Sequence, residues 1–297
     1  MKNLIMAIAV VLAFACNNNI APSNTPYLNK EIINKKGSTI LIGHTAPYMF
    51  KQGSNAEWFY KYYNEHFVDS SSIAALQKLL SNTTMEIFLG SWCGDSKREV
   101  PRMLKILDSL HYDTSRIKLI LVDFTVEHYK QSPQHEERNK NIHHVPTFIV
   151  YENNKEMGRI VESPVVSLEK DLLSIVTKEK YIPKYGAILE WQKIINRNKL
   201  RSEKEIQSIA ANLKPLCASA GEFNALGYML YAQERKAEAG NVFLLNTYLF
   251  PERAGTHDSL GEYYFLTGDK VAARKCYERV LQLKPNDANA KKMLEQL

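Results

Sequence analysis

The feature that most restricts the fold of this 297-residue chain is an internal repeat near its C-terminus. Six pairs of identical or similar residues lie 34 positions apart. They are Leu226 and Leu260, Gly227 and Gly261, Ala239 and Ala273, Phe243 and Tyr277, Leu249 and Leu283, and Pro251 and Pro285. Self-similarity at this period is typical of stacked helical hairpins, in which small residues allow close helix approach and bulky residues fill the space between. The prolines would end the second helix of each unit.

The pattern of leucine-glycine, alanine, aromatic residue and proline resembles the tetratricopeptide repeat. The resemblance implies clear repeats at 220–253 and 254–287, a capping helix at 288–297, and a degenerate third hairpin within 187–213. Together they form an all-α helical-hairpin domain over 185–297 that recruits a protein partner. The sequence departs from the repeat pattern at His257, where an aromatic residue is usual, and at Asn246, where alanine is usual.

A second feature is the stretch from Phe88 to Pro101, F-L-G-S-W-C-G-D-S-K-R-E-V-P. It reads as the end of an apolar strand, a short turn, and a helix that opens near Asp95. Cys93 would then lie at a helix N-terminus, where unpaired N–H groups and the helix dipole favour a thiolate. Such surroundings lower the pKa of a cysteine from ~8.5 to roughly 3.5–7.5. The sequence therefore predicts a reactive cysteine.

The turn W-C-G-D-S-K resembles the active-site turn of thioredoxins, W-C-G-P-C-K, with Ser96 in place of the second cysteine. Pro101 matches the kinking proline of the thioredoxin helix, and H-V-P-T-F around Pro146 resembles the cis-proline segment of that family. The resemblance implies an α/β thioredoxin-like domain over 39–178. In it a strand, a helix and a second strand (85–89, 96–110 and 117–124) precede a hairpin (147–151 and 158–161) and a helix (168–176).

The resemblance also assigns roles to individual residues. Cys93, Ser96 and Pro146 are the expected catalytic residues, and Lys97 the expected thiolate-stabilising residue. Pro146 in the cis form would lie opposite Cys93. Trp92 and the exposed backbone of Val145 would then bind a substrate peptide in a strand-like manner.

Several expectations concern groups around this turn. The central-strand position that holds a buried acid in thioredoxins is Ile87, so proton transfer would depend on Asp95, whose charge could instead raise the pKa of the cysteine. His143 and His144 are predicted to be surface residues rather than bases or metal ligands. The polar stretch 127–141 is predicted to contain a helix.

The first residues indicate export. Residues 1–16 combine a positive charge at Lys2, an apolar run and a small-residue cleavage site, which is typical of a signal peptide. Cys16 follows that site directly, as in bacterial lipoprotein signals, and is the expected lipidation site. An ordinary cleaved signal and a buried N-terminal helix remain alternatives. Residues 17–38 are predicted to be a flexible tether, and the location to be the periplasm or cell envelope, with possible membrane anchoring through Cys16.

Composition excludes other classes of function. Apolar residues make up 45% of the chain and charged residues 24%, as in soluble globular proteins. The net charge of +6 is spread without long basic runs, so no nucleic-acid partner is expected. Cys217 and Cys276 are predicted to pack in the core instead of forming a disulfide framework. No metal or cofactor is expected.

These observations predict monothiol thiol–disulfide exchange on protein thiols and disulfides, with the repeats recruiting partners. A serine cannot displace a mixed disulfide, so release would need an outside thiol or a second substrate cysteine. The alternative is a non-enzymatic adaptor, in which the repeats carry the function and the thioredoxin-like domain is a vestigial scaffold. A glutathione-linked monothiol protein is disfavoured by Trp92 and by the predicted export.

Overall fold

The computed structural model describes residues 30–33, 37–125, 127–197 and 202–297. The predicted signal 1–16, its Cys16, and the tether up to residue 29 lie outside the described residues. Six strands occur in the first part of the chain: β1 Lys30–Ile33, β2 Thr39–His44, β3 Thr83–Leu89, β4 Ile117–Leu121, β5 Thr147–Glu152 and β6 Lys155–Val161. Strand β1 falls within the segment predicted to be a tether, where it pairs antiparallel with β2.

Eleven helices accompany these strands in the described residues. In the first part they are α1 Ala56–Glu65, α2 Ser70–Leu79, α3 Gly94–Ser109 and α4 Leu168–Val176. The rest are α5 Gly186–Arg197, α6 Glu203–Leu213, α7 Ala220–Ala232, α8 Lys236–Leu249, α9 Ala254–Thr267, α10 Lys270–Leu283 and α11 Ala288–Gln296. No helix in the described parts of the chain has the length and apolarity needed to cross a membrane.

The sheet is mixed, with the strand order β1-β2-β4-β3-β5-β6. Strands β3 and β4 are parallel and joined through α3, and the remaining neighbours are antiparallel. The predicted strand–helix–strand unit, the hairpin of β5 and β6, and the helix after it are therefore present. The structure establishes an α/β domain with a mixed sheet in the N-terminal part of the chain.

Alternation along the central strand β3 separates two apolar clusters. Ile87 and Leu89 are fully buried in the larger cluster, against helices α1 to α4. Phe88 points to the opposite face and packs there with Ile120, Val122, Ile142, Val145 and Ile149. Trp92 and Cys93 pack against this smaller cluster, so the predicted reactive turn is supported from the face of the sheet that α1–α4 leave uncovered.

The segment between β4 and β5 covers that second face. The predicted helix within 127–141 is wrong, because the described residues there form a series of turns. Lys130, His135, Asn139 and Asn141 all have positive φ, a conformation that cannot continue a right-handed helix. Buried carboxylates instead accept hydrogen bonds from nearby backbone N–H groups. Asp123 accepts from the N–H groups of the next two residues, and Glu137 accepts from the Ser132 N–H at 3.0 Å.

The helical region repeats at the period predicted from the sequence. Helices α7 and α9 begin 34 residues apart, as do α8 and α10, and each second helix ends two residues before its proline. Close approach occurs at the predicted small residues. A Cβ on Gly227 would lie 2.6 Å from the Phe243 ring, and one on Gly261 would lie 3.1 Å from the Tyr277 ring. The predicted helical hairpins are therefore confirmed, and helix α11 follows them at Ala288–Gln296.

The two regions touch beside the reactive turn. The rings of Tyr129 and Tyr228 meet with centroids 6.4 Å apart. The Gln131 amide donates to the carbonyl of Ala232 at the end of α7. Arg235, the residue just before α8, donates to the Asn141 side chain at 3.4 Å. The first repeat hairpin thus packs on the same segment that covers the second face of the sheet.

Candidate functional site at Cys93

The local fold places Cys93 at the N-cap of helix α3. Strand β3 ends at Leu89, and the Cys93 N–H donates to the Gly90 carbonyl at 2.9 Å, closing the turn. The Cys93 carbonyl then accepts from the Lys97 N–H at 3.0 Å and starts the helix. The sulfur therefore sits at the positive end of a 16-residue helix, with partial solvent exposure. The helix opens one residue before the predicted Asp95.

The structure brings Cys93 and the predicted proline segment together. The Cys93 thiol donates to the Val145 carbonyl oxygen, with sulfur and oxygen 3.3 Å apart. The Val145–Pro146 peptide bond is cis, and the Pro146 carbonyl accepts from the Glu162 N–H at 2.7 Å. Val145 itself is only 2% exposed. The sequence expects an exposed backbone here, but in the structure the carbonyl is occupied by the thiol and the side chain fills the cluster below.

Ser96 has a structural hydrogen bond in this arrangement. The residue is 1% exposed, and its hydroxyl oxygen accepts from the Gly90 N–H at 3.1 Å. It therefore ties the first turn of α3 to the end of β3 directly beneath Cys93. A buried amide that lost this acceptor would cost about 1–3 kcal/mol.

Two contacts hold Trp92 in place beside the end of β4. Its indole N–H donates to the Val122 carbonyl at 2.8 Å, and its ring contacts Phe124 with centroids 5.0 Å apart. The ring lies so close to Gly90 that a Cβ there would be 2.4 Å from it. The glycine of the turn is thus required by the position of the tryptophan.

The charges on helix α3 are mostly engaged with one another. Asp95 accepts from Arg98 at 2.6 Å, and the same guanidinium donates to buried Glu99 at 2.6 Å. The negative charge of Asp95 is therefore compensated locally and opposes a thiolate less than the sequence implies. Lys97 is half-buried, and its ammonium makes no ion pair within the described part of the chain. Its thiolate-stabilising role stays a prediction.

The structure adds a cation that the sequence did not single out. Lys130 is 5% exposed, and its Nζ lies 4.5 Å from the centroid of the Trp92 ring and 5.0 Å from that of Tyr129. Burial lowers its pKa to about 8, against the opposing effect of the negative charges of Cys93 and Glu162. The sequence prediction missed Lys130 because the position of this residue beside Trp92 depends on its positive φ and on contacts distant in sequence.

His143 and His144 are not surface residues, which corrects the sequence prediction. His143 is 4% exposed, and the two Nδ1 atoms lie 2.7 Å apart. The His144 ring stacks on Tyr185 with centroids 4.0 Å apart. Burial, with a smaller effect of Lys130, lowers the pKa of His144 to about 3. Burial also lowers the pKa of His143 well below its ordinary value, so both rings are neutral at pH 7.

Tyr185 connects the site to the helical region. It precedes α5, and its hydroxyl donates to the carboxylate of Glu162, the residue whose N–H binds the Pro146 carbonyl. Burial, the hydrogen bond to Glu162 and the charges of Glu222 and Asp95 all raise the pKa of the phenol. The proline segment is therefore covered by a residue at the start of the helical region.

The two remaining described cysteines are free thiols. Burial is the main cause that raises the pKa of Cys217 and of Cys276 to about 11. Both are partly buried and pack against the helical core, where the sequence predicts fully buried positions. No group of three or more potential metal ligands occurs among the residues that the structure describes.

A polar network joins the two repeats. Asn224 donates to Ser259 at 3.0 Å, and the Tyr228 hydroxyl donates to Glu262 at 2.6 Å. Asn246, the departure from the usual alanine, is fully buried and donates to the Ala220 carbonyl at 2.9 Å. Its amide spans the space between α7 and α8 and fixes the packing of the hairpin.

Comparison with known proteins bears on the helical region. No curated protein matches the chain. The tetratricopeptide repeat family matches residues 254–287, which correspond to α9 and α10 and to the second predicted repeat. Repeats of this kind stack into surfaces that bind other proteins. Residues 254–287 are thus similar to a tetratricopeptide repeat, which suggests a protein–protein interaction role for the C-terminal part of the chain.

Proposed function

We propose that this protein carries out monothiol thiol–disulfide exchange on protein substrates, and that its thioredoxin-like α/β domain holds the reacting sulfur. The observation that carries the proposal is the position of Cys93. Its sulfur lies at a helix N-terminus, partly exposed, 3.3 Å from the carbonyl that precedes Pro146. Cysteines at helix N-termini beside cationic groups are the nucleophilic ones.

The reaction balances without an internal second thiol. The Cys93 thiolate attacks one sulfur of a substrate disulfide, a new S–S bond forms, and the other substrate sulfur leaves as a thiolate. A second thiolate, from the same substrate or from a small external thiol, then attacks the substrate sulfur of the mixed disulfide. Cys93 is released as a thiolate and a different substrate disulfide remains. Cys93 undergoes no net oxidation, so the chemistry suits isomerisation or partner capture.

Ionisation of the thiol also changes the substrate-binding surface. While the sulfur is protonated, the Val145 carbonyl accepts its S–H. A thiolate has no hydrogen to donate, so the carbonyl becomes free to accept from the backbone of a substrate peptide. Activation of the nucleophile and exposure of a peptide-pairing group would therefore occur together.

Mixed-disulfide trapping tests the proposal. Purified protein is incubated with a peptide disulfide, quenched with acid and examined by intact mass. A single adduct on Cys93 is expected for the wild type and for the matched Cys276→Ser variant, and none for Cys93→Ala. A Ser96→Cys variant is expected to release the peptide rapidly, since it supplies a resolving thiol three residues away. Adduct formation that is equal in wild type and Cys93→Ala would refute the exchange function.

The adaptor function remains the second candidate, favoured by the tetratricopeptide repeat at 254–287. In that case the repeats carry the activity and Cys93 is dispensable. Partners captured from cell envelopes by Cys93→Ala should then equal those captured by wild type, under reducing conditions that remove mixed disulfides.

Export and lipidation are part of the proposal and are tested separately. Cys16 follows the predicted cleavage site, and lipidation there would tether the protein to a membrane in the cell envelope. Cells expressing the protein are labelled with a fatty acid. Wild type should incorporate the label and Cys16→Ala should not. Equal labelling of the two proteins would contradict an anchor at this cysteine.

A further inference from the structure

Lys130 is a buried cation without a carboxylate partner. The residue is 5% exposed, and no ion pair to its Nζ exists among the residues that the structure describes. Its ammonium instead lies over two aromatic rings, at 4.5 Å from Trp92 and 5.0 Å from Tyr129. Cation–π contacts compensate only part of the cost of removing an ammonium from water. An anion close to the Lys130 ammonium would compensate the rest of this cost.

The backbone holds this lysine in place independently of its charge. Lys130 has a φ of 58°, and its N–H donates to the Asp123 carbonyl at 3.0 Å. The Asp123 N–H in turn donates to the Gln131 carbonyl at 2.9 Å, which closes the loop. The side chain is therefore directed toward Trp92, the residue next to Cys93, by a rigid turn that no other feature of the site explains.

Two negative groups act on the ammonium, and their effects differ in size. They are Cys93 as a thiolate, which has the larger effect, and Glu162. The Glu162 carboxylate already accepts from the Tyr185 hydroxyl. The other titratable groups around Lys130 are Tyr129, a buried phenol with a raised pKa, and the neutral His143 and His144. The thiolate is thus the negative group with the larger effect on the buried ammonium.

The Cys93 sulfur, once ionised, requires stabilisation of its negative charge. In the protonated form it donates to the Val145 carbonyl at 3.3 Å, and ionisation would leave the negative sulfur facing that oxygen. The helix N-terminus opposes this repulsion, and Asp95 adds to it only weakly because it is paired with Arg98. A fixed cation on the Trp92 side would supply the remaining stabilisation.

We propose that Lys130 is the electrostatic partner of the Cys93 thiolate, a role that the sequence alone would give to Lys97. The inference rests on the proposed exchange function for its biological meaning, but it concerns the ionisation of the sulfur itself. When the thiolate forms, the ammonium becomes paired. When the sulfur is protonated or engaged in a disulfide, the ammonium is an unpaired buried cation that releases its proton more readily. The site therefore couples a lysine proton to the state of the sulfur.

The test is the pH profile of Cys93 alkylation by iodoacetamide, followed by peptide mass. Lys130→Met should move the midpoint upward and slow alkylation near neutral pH about tenfold, as expected when one opposite charge that acts on the sulfur is removed. Lys130→Arg should keep most of the wild-type profile, and so should the matched control Lys155→Met, whose lysine is exposed on strand β6. A Lys130→Met midpoint equal to that of wild type, or an equal shift in Lys155→Met, would overturn the proposal.

A reciprocal measurement guards against misfolding of the lysine variant. The ε-carbon resonance of Lys130 is titrated by NMR in wild type and in Cys93→Ala, with Cys276→Ser as the control. Removal of the thiolate should lower the lysine midpoint, and an unchanged midpoint would contradict the coupling. Mixed-disulfide trapping is scored separately, so loss of exchange with a normal alkylation profile refutes the proposed function and leaves the pairing intact.

Discussion

Mild acid should destabilise the α/β domain through the buried histidine pair. His144 stacks on Tyr185 with ring centroids 4.0 Å apart, and burial is the main cause that lowers its pKa to about 3. An unfolded chain restores an ordinary pKa of about 6.5. Between these two values the unfolded state binds a proton that the folded state does not. Folding stability therefore falls as the pH drops below about 6.5, and it is unaffected by this group above that pH.

The size of the effect follows from the same two values. At about pH 5, the unfolded histidine is mostly protonated and the folded one mostly neutral, so His144 alone costs about 2 kcal/mol of stability relative to neutral pH. His143, 4% exposed with a pKa lowered by burial first and by the charges of His144, Arg159 and Lys130, acts in the same direction. The effect of His144 alone is a substantial share of a typical domain stability of roughly 5–15 kcal/mol.

Urea denaturation near pH 7.5 and near pH 5, followed by tryptophan fluorescence, measures the effect. His144→Phe keeps the stacking on Tyr185 but cannot titrate, so its loss of stability on acidification should be smaller than that of wild type by about 2 kcal/mol. His111→Asn is the matched control, since His111 is exposed and its φ of 50° suits asparagine. Identical acid sensitivity of His144→Phe and wild type would refute the assignment of this proton uptake to His144.

Two further predictions concern the helical region. Gly227→Ala should destabilise it by about 1–3 kcal/mol, because the new methyl group would lie 2.6 Å from the Phe243 ring. Gly255→Ala, at a helical position with open space around it, should instead stabilise the helical region by up to about 1 kcal/mol. Thermal melts of both variants measure these changes in stability. Cys217 and Cys276, whose pKa values burial raises to about 11, should alkylate near neutral pH far more slowly than Cys93. Equal labelling of all three thiols by mass would contradict that order.

The regular elements were predictable because their signals are local. The periodic residues of the repeats fall on the faces that meet: Gly227 against Phe243, and Gly261 against Tyr277. The parallel strands flanking α3 and the hairpin after Pro146 also follow from short apolar runs and a turn. In each case a few neighbouring residues set the structure, so no knowledge of distant contacts was needed.

The segment between β4 and β5 was not predictable in the same way. Its polar composition suggested a helix, but Asp123 and Glu137 bind its backbone amides and Lys130 takes a positive φ. The burial of His143 was likewise missed, since it depends on Tyr185, which lies more than forty positions further along the chain. Polar residues are placed inside a protein by partners that are remote in sequence.

By itself, the sequence determined the helical repeat, the order of strands and helices around Cys93, and the position of that cysteine at the start of α3. Periodicity and turn chemistry suffice for these, since they act over a few residues. Only the tertiary structure decided which groups surround the sulfur: the Val145 carbonyl, the Trp92 ring and the buried ammonium of Lys130. The electrostatics of a site depend on distance and burial in three dimensions, and neither quantity can be read from the spacing of residues along a chain.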